Sequence, residues 1–546
     1  MKKKYSLDPE QNWVLIFAIC LVLLTSIPYL IAASQRESVF TGFLIGVEDG
    51  NSYIAKMLQG AQGDWLFRSP YTTSSQTGAL IYLPYLLLGK LLGPNAQHDA
   101  LVLLFHLFRS VTIILLCFAA YDFISFFLKS VNLRRIGLVL ITLGSGLGWL
   151  LLFIGLRSLF GTIPLDFYSP EAFGFLAIFS LPHLVLARAL LLWGLSGYLR
   201  SYFNPVKKVH GSEIFVTIFI WLVMALTHLI TAALGLLLIA VHFAFSFIRN
   251  YLDKKKFALS NAQLQTVIWS LIGVLPVLAY NAWVYWQDSY LRAWAAQNQI
   301  LSPNPIHYLV GYGLLLPFAY FGMRNLLRVN WQTGSFFLSW MVLLPFLLYA
   351  PIGLQRRLSE SAWVALVVLA LYAFEPVTRR VKDKSLPNRN PHDLWLFSLA
   401  FPSTLILLLG SWQAARNVEL PIFRSDAETH AFVDLRSIAQ TGDVVLASYE
   451  TGNALPAWAP LRVVAGHGPE SVNLENLLPK IKAVYQGRTS EDTRLEFLQK
   501  YGVTYIFWGP IERTLGSWEP TREPYLELVV NFGEYQIYRV SEEAVN

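Results

Sequence analysis

Residues 13–33 read WVLIFAICLVLLTSIPYLIAA, an apolar stretch that follows a run of three lysines at 2–4. A transmembrane helix needs about 20 consecutive apolar residues, so this stretch predicts a membrane span. It is longer than the apolar core of a signal peptide and lacks a clear small-residue cleavage site, so we expect a retained anchor. Glu48 and Asp49 follow in a short polar loop. The first span is therefore expected to carry two carboxylates to the opposite face of the membrane.

The composition of the chain is that of a polytopic membrane protein. Of its 546 residues, 55% are hydrophobic and only 14% are charged, whereas soluble domains carry about 25% charged residues. The net charge of +7 is spread over short basic clusters between apolar runs, which argues against nucleic-acid binding and favours membrane topology. Cys20 and Cys117 both lie in apolar runs, so neither a disulfide framework nor a cysteine zinc site is expected.

The apolar runs predict an all-α polytopic membrane bundle of about eleven transmembrane helices. One run, 213–248, is too long for a single span, and we divide it at the polar pair 227–228. The predicted spans lie near 13–33, 101–120, 135–156, 182–199, 213–229, 230–248, 264–285, 307–323, 333–350, 360–376 and 393–413.

Basic residues in the short loops orient the predicted bundle, because cytoplasmic loops carry an excess of lysine and arginine. We expect the basic clusters to lie in the cytoplasm, so that the loops at 34–100, 157–181, 286–306 and 351–359 face outward. An odd number of spans places the C-terminal segment outside as well. The clusters are Lys2–Lys4, Lys129/Arg134/Arg135, Lys207/Lys208, Lys254–Lys256, Arg324/Arg328 and Arg379/Arg380/Lys382/Lys384.

Two predicted domains follow from this pattern: a transmembrane domain at 1–414, with the outer loop 34–100, and an extracytoplasmic α/β domain at 415–546. Within the outer loop, helical spacing of apolar residues at 52–62 predicts an amphipathic interfacial helix, and 79–92 predicts a second one. The C-terminal domain alternates strand and helix patterns. Its predicted strands are 444–449, 462–465, 503–508, 526–530 and 535–540, and its predicted helices are 429–440, 472–485 and 491–501.

Glu48 and Asp49 are the candidate catalytic residues. A carboxylate at the mouth of a helical bundle, held by an interfacial helix, is well placed to accept a proton from a substrate hydroxyl. Two structural alternatives stay open. The pair could be solvated loop charges, or Asp49 could cap the helical pattern that follows it.

Short motifs around this acid pair resemble a known family. Asp49-Gly-Asn-Ser-Tyr53 and then Gly63-Asp64-Trp65 are similar to the first-loop signature of GT-C glycosyltransferases. The likeness is to the branch of protein O-mannosyltransferases and lipid A aminoarabinose transferases. A proline-containing apolar segment, Tyr82-Leu83-Pro84-Tyr85, and an early arginine in the second span, Arg109, extend it over about residues 40–115.

The resemblance implies a GT-C fold and a mechanism. The donor would be a sugar on a polyprenyl phosphate at the outer leaflet, and Asp49 would act as base or orienting acceptor for the nucleophile. Tyr53 and Arg109 would bind substrate, and cationic residues would hold the departing lipid phosphate. The branch often has a second acid directly after the key aspartate, where this chain has Gly50, which leaves the role of Glu48 open.

Four further residues are predicted to bind substrate from the second outer loop and the span after it. Asp166 and Glu171 resemble the additional loop acids of the family, where they assist the acceptor or a metal; the alternative is two solvated loop acids. His183 and Arg188 lie in or near the outer half of a span, where charged groups usually face a cavity or a partner. Snorkelling to the interface is the alternative for Arg188.

Arg356 and Arg357 form the only double-basic site in a short outer loop, against the charge rule for such loops. They could anchor the loop on lipid headgroups. They could also clamp a phosphate, because guanidinium binds phosphate bidentately. In that role they would stabilise charge on the leaving phosphate.

The sequence therefore predicts an integral plasma-membrane glycosyltransferase that moves a sugar from a polyprenyl-phosphate donor to an extracytoplasmic glycan, lipid or protein. Membrane lipids are its other expected partners, and nucleic acid is not one. The alternatives are a transporter or flippase for a lipid-linked or hydrophilic solute, or a non-catalytic membrane scaffold. No cofactor is assigned. The acids would suit Mg²⁺ or Mn²⁺, but no ligand spacing demands a metal.

Overall fold

The computed structural model describes residues 8–203, 210–252, 261–375 and 391–541. Within these ranges, six helices are long and apolar enough to cross a membrane. The count is seven if Pro305–Tyr312 and Leu316–Val329, which are bent by 77° to each other, form one span. The chain is therefore a membrane protein. The six are Pro9–Ala33, His98–Ser125, Leu229–Arg249, Asn261–Gln287, Trp331–Leu348 and Pro391–Ala414.

The predicted count of about eleven spans is not confirmed. The apolar run at 135–156 forms two helices, Val131–Leu143 and Gly148–Phe153, with a break at 144–147. Ala362–Tyr372 has only 11 residues, and all of them are buried. Hydropathy alone does not separate a lipid-facing span from a short helix buried in protein, because both are uniformly apolar. The lysine and arginine clusters at 2–4, 207–208, 254–256 and 379–384 lie outside the described residues.

The chain divides into two compact units. The first comprises Met1–Ser26, Phe108–Tyr280 and Ile300–Gly410. A continuous apolar cluster forms its core, in which Trp221 and Trp363 are the largest fully buried side chains. Its helices outside the six long spans are Val131–Leu143, Gly148–Phe153, Leu165–Phe167, Phe175–Ser180, Pro182–Phe203, Gly211–Thr227, Pro305–Tyr312, Leu316–Val329, Gln355–Ser359 and Ala362–Tyr372.

The second unit gathers three distant stretches of the chain: Ile27–Leu107, Asn281–Gln299 and Ser411–Asn546. Strand β1 (Val39–Phe40) pairs antiparallel with β2 (Phe423–Arg424), which ties the first loop to the C-terminal segment. The segment predicted as a separate domain at 415–546 thus shares one unit with the predicted outer loop. The helices of this unit outside the long spans are Val47–Ala61, Leu83–Leu92, Ser289–Gln297, Asp426–Ile438, Tyr449–Ala454, Leu455–Ala457, Leu474–Val484, Glu491–Tyr501, Pro510–Leu515 and Pro520–Arg522.

A five-stranded mixed sheet organises the C-terminal segment, in the order β4-β3-β5-β7-β6. Strand β3 lies parallel to both β4 and β5, and β7 pairs antiparallel with β5 and β6. All five predicted strands are found, somewhat shifted at their ends. Parallel strands bring their carboxyl ends to one edge of a sheet, where loops commonly bind ligands. The strands are β3 Val444–Leu446, β4 Arg462–Val463, β5 Tyr505–Trp508, β6 Leu526–Phe532 and β7 Tyr535–Val540.

The helix Val47–Ala61, which we call the acid helix, begins five residues earlier than predicted. Its N-cap is Gly46, whose φ of 64° lies in the left-handed region that glycine tolerates. It packs closely on Leu83–Leu92. Gly89 lies so near the acid helix that an added Cβ would overlap the carbonyl oxygen of Met57. The early start puts both candidate acids inside the first helical turn.

Candidate active site

Glu48 and Asp49 lie in the first turn of the acid helix. A helix N-terminus carries a partial positive charge from its unpaired N–H groups, so it stabilises carboxylates there. Gly46 occupies the N-cap position. Asp49 is therefore not the N-cap residue that one structural alternative required.

Glu48 is held by the C-terminal segment. Its Oε1 accepts hydrogen bonds from the Tyr449 hydroxyl and, at 2.7 Å, from the Gly468 backbone N–H. Its backbone carbonyl accepts a bond from Asn453 Nδ2 at 3.3 Å. Burial, together with the bond to Glu48, raises the pKa of Tyr449, so this hydroxyl stays a donor. One carboxylate oxygen of Glu48 is therefore occupied by hydrogen bonds that hold the acid helix against the C-terminal segment.

Asp49 is the more accessible acid. Its side chain is 58% exposed, and its Oδ1 lies 3.2 Å from Nε2 of His467, whose own side chain is 6% exposed. A substrate can therefore reach the carboxylate but not the imidazole behind it. The histidine fixes the direction in which the carboxylate points.

A buried ion pair lies behind the histidine. His467 Nδ1 is 3.7 Å from Glu470 Oε1, and Lys56 Nζ is 2.6 Å from the same oxygen, with both side chains of this pair almost fully buried. The Ser52 and Ser69 hydroxyls donate to Glu470 at 2.9 and 2.7 Å. Burial on its own raises the pKa of Glu470, but the charges of Lys56 and His467 and these donors bring it below its usual value. Glu470 is therefore an anion at neutral pH.

The sheet explains why Tyr449 and His467 meet the acid helix. Tyr449 follows the carboxyl end of β3, and His467 follows the carboxyl end of the neighbouring parallel strand β4. Polar loop residues at this edge are a recurring ligand-binding arrangement. Neither residue is among the candidates that the sequence predicted. The available signal was a histidine between two glycines, 466–468, directly after a predicted strand.

A second cluster lies in the first unit, around Glu171. This buried carboxylate is 3.9 Å from Arg356 Nε and 4.0 Å from Arg357 Nε, both beyond hydrogen-bond distance. Arg356 Nε is buried without a hydrogen-bond partner among the described residues, and its guanidinium lies over the ring of Tyr168 at 4.9 Å. One carboxylate facing two guanidinium groups leaves a surplus positive charge and unused donors. This is the donor set that a phosphate would complete.

Arg188 and Asp166 have defined partners elsewhere in the first unit. Arg188 Nε donates to Glu360 at 2.6 Å, and its other nitrogens donate to loop carbonyls at 170, 171 and 173. Arg188 therefore holds the loop that carries Glu171. Asp166 accepts from the Ser403 hydroxyl at 2.9 Å and from a backbone N–H at 148, and burial raises its pKa to about 6. A carboxyl with this pKa is partly protonated near neutral pH.

The remaining predicted substrate-binding residues are placed separately. Arg109 is buried and donates to Thr25 at 3.0 Å and to Ser26 at 2.9 Å, linking two long helices. The ring of His183 lies 6.2 Å from that of His228. Tyr53 is buried and stacks on a neighbouring tyrosine of the second helix of the loop. Their substrate-binding roles stay predictions.

No three His, Cys, Asp or Glu side chains come together as a possible metal site in the part of the chain that the structure describes. Glu48 is bound to donors, and Glu171 already faces two cations. No chemical step below depends on a metal.

Three comparisons with known proteins bear on the fold. No protein-family model matches the chain, and no curated protein matches it. The apo oligosaccharyltransferase of Archaeoglobus fulgidus matches with a TM-score of 0.54 at 12% identity, covering 92% of this chain and 70% of that one. AglB of the same organism, solved with an inhibitory peptide and a dolichol-phosphate, matches with a TM-score of 0.52 at 12% identity, covering 91% and 69%. ArnT of Cupriavidus metallidurans covers 99% of this chain and 100% of its own at 11% identity, with a TM-score of 0.48, too low to show a shared fold.

The two likenesses with TM-scores above 0.5 show that the chain shares the fold of the Archaeoglobus fulgidus oligosaccharyltransferase. Identities of this size show the fold alone. The particular branch that the first-loop motifs resemble is not confirmed.

Proposed function

We propose that this protein is an integral membrane glycosyltransferase that moves one sugar from a polyprenyl-phosphate donor to a glycan, lipid or protein acceptor. The GT-C fold supports the general class, and a neighbour of that fold holds a dolichol-phosphate. In this proposal the protein lies in the plasma membrane, with the acid helix and the C-terminal segment on the outer side.

The observation that carries the proposal is the setting of Asp49: an exposed carboxylate, oriented by a buried histidine that is itself backed by a buried ion pair. An acceptor hydroxyl gives its proton to Asp49 as its oxygen bonds to the anomeric carbon of the sugar. The bond from that carbon to the phosphate oxygen breaks, and the polyprenyl phosphate leaves with the electron pair. His467 keeps the carboxylate of Asp49 in position to accept the proton.

Arg356 and Arg357 are proposed to bind the lipid phosphate. A leaving phosphate gains negative charge as the glycosidic bond breaks, and preorganised cations stabilise that charge most effectively where water is scarce. The unpartnered, buried Nε of Arg356 supports this role. Glu171 keeps the two guanidinium groups close together without neutralising both.

The test uses the purified full chain in lipid vesicles, with polyprenyl-phosphate hexoses as donors and a cell-envelope extract as acceptor. Release of polyprenyl phosphate is measured by mass spectrometry. Because an amide has no useful basicity, Asp49→Asn should lower the rate by roughly 10²–10⁴-fold. Its thermal stability in detergent should hardly change. Asp426→Asn is the matched control, since Asp426 is an exposed aspartate in the first turn of another helix of the same unit.

Three outcomes would contradict the proposal. If Asp49→Asn and Asp426→Asn are equally active, the carboxylate is structural. If Glu48→Gln is the inactive variant while Asp49→Asn works normally, the catalytic acid is the preceding residue. If the wild-type chain moves intact donor lipid across the vesicle without releasing polyprenyl phosphate, it is a flippase.

A further inference from the structure

The second unit contains a cavity of about 380 Å³. It is lined by the end of the acid helix and the loop after it, from Ala55 to Gln76, and by the C-terminal segment from Thr441 to Arg462. Cavities of this size are in the range that holds small ligands. Of the residues described in the candidate active site, Ser69 alone lines it.

The wall of the cavity combines apolar residues with polar side chains that are held in place. Gln59 and Gln76 each pair with backbone groups of the loop at 68–69, through bonds of 2.7 to 3.3 Å. Gln62 uses its amide nitrogen on the Pro94 carbonyl at 3.0 Å, which leaves its amide oxygen available. The Ser75 hydroxyl has no hydrogen-bond partner among the described residues. Neutral groups that donate and accept are suited to sugar hydroxyls.

Three charged residues line the same cavity: Asp64, Arg68 and Arg462. Arg462 is partly buried and donates through Nε and Nη2 to the Thr72 carbonyl at 3.2 and 2.9 Å. Burial lowers its pKa. No carboxylate lies within 4.0 Å of either arginine among the residues that the structure covers. The cavity therefore has a surplus of one positive charge.

One surplus positive charge in the cavity favours some anionic ligands over others. A carboxylate carries a single negative charge, whereas a phosphate monoester carries about −1.5 to −2 near neutral pH. Asp64 would repel the second charge of a phosphate. The lining thus matches a sugar that bears a carboxylate better than one that bears a phosphate.

The cavity is also connected to the candidate catalytic acid. Ser69 lines the cavity, and its hydroxyl donates to Glu470 at 2.7 Å. Glu470 faces His467, and His467 bonds Asp49. The cavity wall therefore shares Ser69 with the hydrogen-bonded group of residues that orients Asp49.

We propose that this cavity binds a carboxylate-bearing sugar unit of the acceptor glycan, at a distance from the hydroxyl that reacts. The proposal rests on the glycosyltransferase function proposed above. Arg462 and Arg68 bind the carboxylate, while Gln62 and Ser75 bind hydroxyls. Such a site selects an acidic glycan and holds it while a neighbouring unit receives the sugar.

The test is direct binding to the full chain in detergent, measured by calorimetry with trigalacturonate and with neutral galactotriose. Trigalacturonate should bind at least tenfold more tightly. Arg462→Gln should weaken its binding by roughly ten- to a hundredfold, since hydrogen bonds to charged groups are the stronger class. Arg68→Gln, at an exposed residue with a single backbone contact, should weaken it as well and covers the case in which Arg462→Gln fails to fold. Arg522→Gln, at an exposed arginine outside the cavity, should have no effect.

Equal binding of the neutral and acidic trisaccharides, or unchanged binding in both cavity variants, would overturn the proposal. Tighter binding of triglutamate than of trigalacturonate would assign the cavity to an acidic peptide, and tighter binding of glucose 6-phosphate would assign it to a phosphate. Asp49→Asn separates the two proposals, because Asp49 does not line the cavity. That variant should bind trigalacturonate normally while sugar transfer is lost, and a failure of the transfer function would leave this binding result standing.

Discussion

Lys56→Met removes the cation of the buried pair behind the candidate site. Lys56 and Glu470 are almost completely excluded from solvent and their charged atoms are 2.6 Å apart. Removing one partner of such a pair costs about 3–5 kcal/mol, because the other charge is left buried. The Ser52 and Ser69 hydroxyls still donate to Glu470, so we expect the lower end of that range. For a unit of this size, 1 kcal/mol lowers the melting temperature by about 2–4 °C, so a fall of roughly 6–12 °C is expected.

The loss should depend on pH in a defined direction. In the wild type the pKa of Glu470 lies below 4.5, so its contribution to stability is present above that pH and is lost as the pH falls. Without Lys56, burial dominates and the pKa of Glu470 rises above 4.5. Glu470 then takes up a proton on folding, and stability is lost as the pH rises through the new pKa. The difference between variant and wild type should therefore be larger at pH 8 than at pH 5.

The assay is thermal unfolding of the purified chain in detergent at pH 5, 6.5 and 8. Lys482→Met is the matched control, because Lys482 is exposed in the same unit. Adding Glu470→Gln to Lys56→Met should recover part of the loss, since it removes the buried charge. If Lys56→Met and Lys482→Met have the same melting temperature at every pH, the Lys56–Glu470 pair does not stabilise the fold. The role given to this pair behind His467 would then be wrong.

Three further predictions concern the site and its frame. His467→Gln keeps a donor for the catalytic acid but cannot carry a charge. Transfer should fall less than in the Asp49→Asn variant, because the glutamine amide can still donate to the carboxylate; an unchanged rate would remove the histidine from the site. Arg356→Gln combined with Arg357→Gln should weaken binding of polyprenyl phosphate to the vesicle-bound protein more than tenfold and leave acceptor binding unchanged, whereas equal lipid affinity would make both residues interface anchors. Gly89→Ala should lower stability by about 1–3 kcal/mol through overlap with a backbone carbonyl, while Gly197→Ala, where an added Cβ meets nothing within 4 Å, should not.

The fold was predictable where the pattern in the sequence is local. The five C-terminal strands are short apolar runs between turn residues, and each was found. The membrane spans were harder, because the fully buried helix Ala362–Tyr372 is as apolar as a span that faces lipid. The acid helix was recognised, but its start at Val47 depends on the left-handed backbone of Gly46, which composition does not reveal.

Only the acidic residues of the candidate site could be predicted from the sequence. The sequence indicated Asp49 and Glu48, but not the residues that orient them. Lys56 falls on the polar face of an interfacial helix by its spacing, yet it is 1% exposed. It lies against the rings of Phe67 and Tyr82 and pairs with Glu470. That partner lies 414 residues away in the sequence. No spacing rule connects two such positions, so the pair emerges only from the fold.

This separation has a consequence for biosynthesis. His467 is made 418 residues after Asp49, which at about 5–20 residues per second is a delay of roughly 20–80 s. During that time the nascent chain has the candidate catalytic carboxylate but lacks the imidazole that orients it. A chain that stalls before Gly466 has every predicted span and neither His467 nor Glu470. The proposed transfer activity is therefore expected only in chains that extend at least through Glu470.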